Sequence, residues 1–158
     1  MNMRLALFQP EIPQNTGTLL RLGACLNVPI DIIEPCGFVI TDKNLKRAGM
    51  DYIQQALLNR HRSWQAFLDH LQTQTPQPRL VLLTPHTSTS YTDFTFQKED
   101  ILMVGRESNG VPSEVFKDCQ AQVKIPMTPT TRSINMALSA AMVLGEALRQ
   151  THQFPPLS

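Results

Sequence analysis

The chain has 158 residues, a length suited to one domain with a sizeable core and not to a repeat array or a multidomain protein. Hydrophobic residues make up 42% and charged residues 17%, an ordinary globular balance that excludes wholesale disorder. With 14 Lys+Arg against 13 Asp+Glu the formal net charge is +1, so any nucleic-acid contact must come from a local patch and not from a general positive field.

Met3–Phe8 reads as a short buried strand, broken by Pro10–Pro13. Asn15 and Thr16 then offer N-cap side chains to a helix over Thr18–Asn27, where Leu19, Leu22 and Leu26 form the apolar stripe and Arg21 lies off it. Pro29–Ile33 is a second strand, Asp42–Ala48 a short charged helix ended by Gly49, and Leu57–Asn59 a brief strand. Ser63–Gln74 is predicted helical, capped by Ser63, with Trp64, Phe67, Leu68 and Leu71 spaced for packing rather than for base stacking. Arg79–Thr84 and Ile101–Val104 are continuous apolar runs, as in strands buried on both faces of a parallel sheet, and Pro85–Phe96 between them is irregular. Val111–Asp118 is a short helix with Pro112 near its start, and Gln122–Ile125 the final strand. Ser133–Thr151 is a helix rich in Ala, Leu and Met, followed by a peripheral tail, Gln153–Ser158.

This alternation implies an α/β fold: a single domain over residues 1–158 with a mostly parallel sheet and flanking helices, whose ligands lie beyond the carboxyl ends of the strands. Cys25, Cys36 and Cys119 have no C-x-x-C spacing and no His cluster beside them, so neither a disulfide framework nor a metal site is expected. No segment has the apolar length of a signal peptide core or a membrane span, and a cytoplasmic protein is the expectation. A Walker phosphate loop and a G-x-G-x-x-G turn after the first strand are both missing.

Three other segments carry candidate chemistry. Asn15-Thr16-Gly17 leads to Arg21 one helical turn later, pairing a capping or ligand-binding amide with a guanidinium able to hold phosphate. Gly105-Arg106-Glu107-Ser108-Asn109-Gly110 follows a buried strand, and its glycines permit tight turns that leave backbone groups available to a ligand. Ile125-Pro126-Met127 runs on to Arg132-Ser133-Ile134-Asn135, where Ser133 is a candidate N-cap of the last helix. Arg132 beside a helix start does not complement the dipole and so favours an anionic partner.

In this order the three segments, N-x-G-x-x-x-R, G-x-E-x-x-G and I-P-M…R-S-I-N, resemble the SPOUT RNA 2′-O-methyltransferases over nearly the whole chain. Within that superfamily, PEIPQNTG, IIEPCGF and DKNLKRAGMDY resemble the bacterial subgroup that methylates the wobble nucleotide of tRNA, cytidine or uridine. The resemblance implies a SPOUT fold with a deep C-terminal trefoil knot, which fold statistics alone would not suggest. It also implies S-adenosylmethionine as cofactor and S-adenosylhomocysteine as product. Leu83, Thr84, Gly105, Gly110, Ile125 and Ser133 then line the cofactor pocket, while Arg21, Glu107, Arg132, Ser133 and Asn135 form the catalytic set. Asn15, Arg21, Lys43, Lys46, Arg47 and Arg132 are the implied tRNA contacts, with Arg60-His61-Arg62 a second basic spot.

Departures from the pattern are Ala137 in place of a frequent second Ser, Pro85-His86 in place of a more basic pair, and Arg106 and Asn109 in place of the commoner Pro and Arg. Because guanidinium stays protonated, Arg21 suits phosphate anchoring and electrostatic activation of the hydroxyl better than a simple general-base role. The family also implies a homodimer through the C-terminal helix, with Ala137, Ala140, Ala141, Leu144 and Ala147 as the close-packing face. Two alternatives stand beside the wobble enzyme: an RNA-binding protein with a vestigial cofactor pocket, and a 2′-O-methyltransferase acting at another tRNA or rRNA site.

Overall fold

A computed structural model describes residues 2–41, 43 and 57–158. The elements among them run β1 (Arg4–Phe8), α1 (Pro13–Leu26), β2 (Ile30–Ile33), β3 (Leu58–His61), α2 (Trp64–Gln72), β4 (Leu80–Leu83), β5 (Ile101–Val104), α3 (Ser113–Asp118), β6 (Ala121–Val123) and α4 (Met136–Thr151). Of the helix expected over Asp42–Ala48, only Lys43 is among the described residues; Lys46 and Arg47 lie outside them.

The strands form one sheet in the order β3-β2-β1-β5-β4-β6, and every pairing is parallel. Runs such as Leu80-Val81-Leu82-Leu83 and Ile101-Leu102-Met103-Val104 suit this arrangement because alternate side chains enter cores on opposite faces. On one face Leu5, Leu7, Leu102 and Val104 pack with Leu19 and Leu20 of α1 and with Ala140, Val143 and Leu144 of α4. On the other, Ala6, Phe8, Ile101 and Met103 meet Phe67 and Leu71 of α2 and Val115 of α3. Trp64 packs edge-on against Phe8, which agrees with its reading as a packing residue.

The chain leaves β1 for its neighbour β2 on one side, while β5 on the other side of β1 leads to β4 and β6. The boundary between β1 and β5 is therefore a topological switch point, where the loops following two adjacent parallel strands diverge and leave a crevice at their carboxyl ends.

Several local expectations change. Helix α1 starts at Pro13, because proline tolerates the first helical position, and its N-cap Ile12 has no polar side chain with which to cap it; Asn15 and Thr16 are buried in the first turn and are not caps. Helix α4 starts at Met136, three residues later than expected, and its cap is Asn135, whose side chain accepts from Ala137 N and Leu138 N at 2.8 and 3.2 Å. Ser133 is thus no cap, and Arg132 stands well outside the helix start, so the dipole argument for its partner falls. Ser63 does cap α2, accepting from Ala66 N at 3.0 Å. Gln153 is not peripheral: its side chain accepts from Met3 N and donates to Lys98 O, both at 2.9 Å, tying the end of the chain to its beginning.

The Ala-rich stripe of α4 is also corrected. Ala137, Ala140, Leu144 and Ala147 are buried within the single chain, because the small side chains let α4 lie close to the sheet and α1. The outward face carries Leu138 and Met142, 61% and 44% exposed.

Candidate active site

A cavity of about 1070 Å³ opens at the carboxyl ends of β4, β5 and β6. Its lining mixes apolar side chains, Leu82, Val104 and Ile125 among them, with polar ones, and its rim is made by the loops after those three strands. Apolar lining with a few convergent polar groups is the usual constitution of a small-molecule site.

The loop after β5 is shaped by its two glycines. Arg106 N donates to Gly110 O and Gly110 N to Arg106 O, both at 3.0 Å, so the loop folds back into a two-residue bridge. A Cβ on Gly105 would lie 2.7 Å from the Gly110 backbone, closer than real contacts allow, and Gly110 has φ of 64°, in the left-handed region. Arg106 adds a bond from Nε to Gly110 O at 3.0 Å and sits 5.7 Å from the Phe8 ring centroid. The commoner Pro at this place could make neither contact.

Two carboxylates join this loop to the one that follows β1. Glu107 accepts from the backbone N–H of Glu11 at 2.7 Å and of Ile12 at 3.4 Å. Glu11 in return accepts from Ser108 N at 2.9 Å and from Ser108 Oγ at 2.8 and 3.0 Å. Donation from the Ser108 backbone, then from its hydroxyl, outweighs desolvation and holds the Glu11 carboxyl below its ordinary range, with Arg106 adding a lesser lowering. A third contact joins α1 to α4: Asn135 Nδ2 donates to Asn15 Oδ1 at 3.2 Å.

Leu83, Thr84, Gly105, Gly110, Ile125 and Ser133 all line the cavity, as do Glu107, Asn135 and Asn15. Arg21 and Arg132 do not. Both are exposed, and Arg21 stands six residues beyond Asn15, about 9 Å along the axis of α1. Lys43 is exposed, while Lys46 and Arg47 lie outside the described residues. The second basic spot is largely spent on neighbours, since Arg60 pairs with Glu34 at 2.6 Å and His61 with Asp31 at 2.8 Å. Sequence reasoning passed over Glu11 and Ser108. The one available signal was an acid between Pro10 and Pro13 directly after a predicted strand.

Among the described residues no group of three or more His, Cys, Asp or Glu is placed to hold a metal ion, and no helix is long and apolar enough to cross a membrane. The cavity does fit S-adenosylmethionine in kind: Leu82, Val104 and Ile125 offer apolar surface to the adenine, backbone groups of the rim its polar edges, and the Gly105–Gly110 loop a turn too tight for a side chain at Gly105.

Comparison with known proteins agrees with this reading. The model of the SpoU rRNA Methylase family matches residues 2–145. A tRNA (cytidine(34)-2'-O)-methyltransferase of Beijerinckia indica subsp. indica is 57% identical over 146 residues, covering 92% of this chain and 90% of that relative. A solved structure described as giving structural insights into the 2-OH methylation of C/U34 on tRNA superposes with a TM-score of 0.84 at 38% identity, covering 94% of this chain and 95% of that one. The SpoU methyltransferase AviRb from Streptomyces viridochromogenes, in complex with the cofactor AdoMet, shares the fold alone: its TM-score is 0.82 at 24% identity, over 92% of this chain and 59% of that one. The parallel sheet and the cavity under its carboxyl-end loops are those of an α/β methyltransferase. More narrowly, the chain belongs to the SpoU rRNA methylase family.

Proposed function

We propose that the protein transfers a methyl group from S-adenosylmethionine to the ribose 2′-hydroxyl of nucleotide 34, the wobble position, of tRNA. One coincidence carries the reading: the cavity sits under the three loops in a chain 57% identical to a tRNA (cytidine(34)-2'-O)-methyltransferase over nearly its full length. When bound, the cofactor supplies an electrophilic methyl on a sulfonium and leaves as S-adenosylhomocysteine. The backbone groups of the Gly105–Gly110 loop, with Leu83, Thr84, Ile125 and Ser133, would hold it. Asn15 and Asn135, bonded to each other at the cavity, fix the start of α1 against the start of α4. Arg21 and Arg132, permanently charged and exposed, are suited to tRNA phosphates, as is Lys43. Arg21 acts by placing positive charge near the hydroxyl oxygen as the methyl–sulfur bond breaks and the hydroxyl proton passes to solvent, since a guanidinium accepts no proton.

The deep C-terminal trefoil knot belongs to the same reading. It is supported by the match of residues 2–145 to the SpoU rRNA Methylase family. A homodimer through α4 also belongs to it, now through the outward Leu138 and Met142 and not the buried alanines. On sedimentation, Leu138→Glu should yield folded monomers, and a dimer that persists would move the interface elsewhere. With tRNA as the substrate, the protein works in the cytoplasm.

Nucleoside mapping of total tRNA incubated with the protein and isotopically labelled donor tests the assignment. Label as a 2′-O-methylnucleoside at position 34 is the expected result. Label on a base, or at a ribose outside the anticodon, would overturn it, and protein that binds RNA without transferring label would favour the RNA-binding alternative.

A further inference from the structure

The crevice at the switch point between β1 and β5 is closed by a reciprocal set of bonds that neither the cofactor pocket nor the RNA surface requires by itself. The segment that closes it starts under constraint. Gln9 has φ of 45°, which turns the chain sharply off the end of β1, and its N–H donates to Ile33 O at 2.8 Å. Pro10 O then accepts from Gly37 N at 2.9 Å, and a Cβ on Gly37 would lie 3.0 Å from Glu11 Cα, so the loop after β2 backs this segment closely. From the other side come Glu107, accepting from Glu11 N and Ile12 N, and Ser108, donating twice over to the Glu11 carboxylate. Pro13 opens α1 immediately afterwards, and Arg21 rides on that helix.

We propose that Glu11 is a positioning residue for methyl transfer: by gripping the N–H and hydroxyl of Ser108, its carboxylate makes the Gly105–Gly110 loop and the start of α1 one body. The cofactor side of the site and the helix bearing Arg21 then keep a fixed relation through the catalytic cycle. Glu107 alone does not achieve this, because its bonds hold the backbone of residues 11 and 12 and leave the tip of its own loop, Ser108–Asn109, untethered. The bonds of Glu11 reach that tip, and both Ser108 and Asn109 line the cavity. An ionised acceptor is what the grip needs, since charge-assisted hydrogen bonds are about twice as strong as neutral ones.

The proposal rests on the methyl-transfer reading above, and its test separates the two. In Glu11→Ala, kcat should fall by about tenfold to a hundredfold, the range expected when reacting groups are misplaced by an ångström or less, with much smaller changes in the KM for tRNA and in the Kd for S-adenosylhomocysteine. Glu11→Gln keeps the shape and one acceptor oxygen but loses the charge, so it should recover only part of the lost kcat, whereas a role in general packing predicts full recovery by this isosteric side chain. Adding Ser108→Ala to Glu11→Ala should cost little more, since both act through one contact. Full kcat in Glu11→Ala, a loss confined to cofactor affinity, or additive losses in the double variant would each overturn the proposal. If wild-type protein binds no S-adenosylhomocysteine, the cofactor reading fails, yet amide exchange still tests the grip: Glu11→Ala should speed exchange in both residues 105–110 and residues 10–14. Faster exchange at Ser108 alone would show that the two segments were never one body.

Discussion

Two polar clusters sit on or beside β1, and they serve opposite ends. In the middle of the sheet Asp31, 1% exposed, is gripped by Arg4 Nε at 2.8 Å, Arg4 Nη2 at 3.0 Å and His61 Nε2 at 2.8 Å, across the parallel pairings of β1, β2 and β3. At the strand ends Glu11, Glu107 and Ser108 make bonds just as short, but at the rim of a cavity and open to water. Burial pushes the Asp31 carboxyl up, yet hydrogen bonds from His61 and Arg4 outweigh it and hold the group below its ordinary value of 3.8. Water screens the rim cluster, so its value lies in geometry and not in folding free energy. Similar distances thus report stability in one place and alignment in the other.

The largest way to break this contrast is Asp31→Ala. It strands Arg4 and His61 without their carboxylate and should lower stability by about 3–5 kcal/mol, seen as a reduced urea midpoint. The same group predicts a pH window. The stability from its ionised form is complete above pH 3.8, its unfolded value, and is lost as pH falls through the lower folded value. Acid titration of wild type and Asp31→Asn, followed by circular dichroism, should show a larger loss in wild type than in the variant, which keeps its other carboxylates. A smaller effect is expected of Asn135→Ala, which removes the cap of α4 and the bond to Asn15 together; about 1 kcal/mol is the typical cost of a lost cap. Its activity should fall further than that stability change explains. Smallest on this scale is Glu11→Ala, whose urea midpoint should stay close to wild type while kcat falls; a midpoint shift matching that of Asp31→Ala would erase the distinction between the clusters.

The sheet was legible where its strands are short apolar runs bounded by proline, glycine or charged residues, as in β4 and β5, whereas β3, Leu58-Asn59-Arg60-His61, carries no such signal. Ile101–Val104 coincides with β5, and Arg79–Thr84 and Pro29–Ile33 each contain their strand with one or two residues to spare. Boundaries failed where a polar side chain had two possible uses. Asn15 and Ser133 both suit an N-cap by type, but Pro13 could begin α1 earlier, and the turn closed by Thr131 N donating to Thr128 O delays α4 until Asn135. The alanines of α4 illustrate another ambiguity, since small residues permit close approach to whichever surface is nearest, and here that surface is the chain's own core. As for the site, the loops after β5 and β6 were visible as motifs in order along the chain, while the loop after β4 showed only as an irregular stretch. The Glu11–Ser108 grip was not, because residues 97 positions apart meet only once β1 and β5 pair.

The central claim is that the cavity under the three loops is the S-adenosylmethionine site, and Gly105→Val tests it most directly by placing a side chain where a Cβ already meets the Gly110 backbone at 2.7 Å. Titration calorimetry with S-adenosylmethionine on wild type and variant, with circular dichroism as the check on folding, is the measurement. Binding to wild type and none to a folded Gly105→Val is the predicted result, whereas a folded variant that binds as wild type does, or a wild type that binds nothing, would contradict the account.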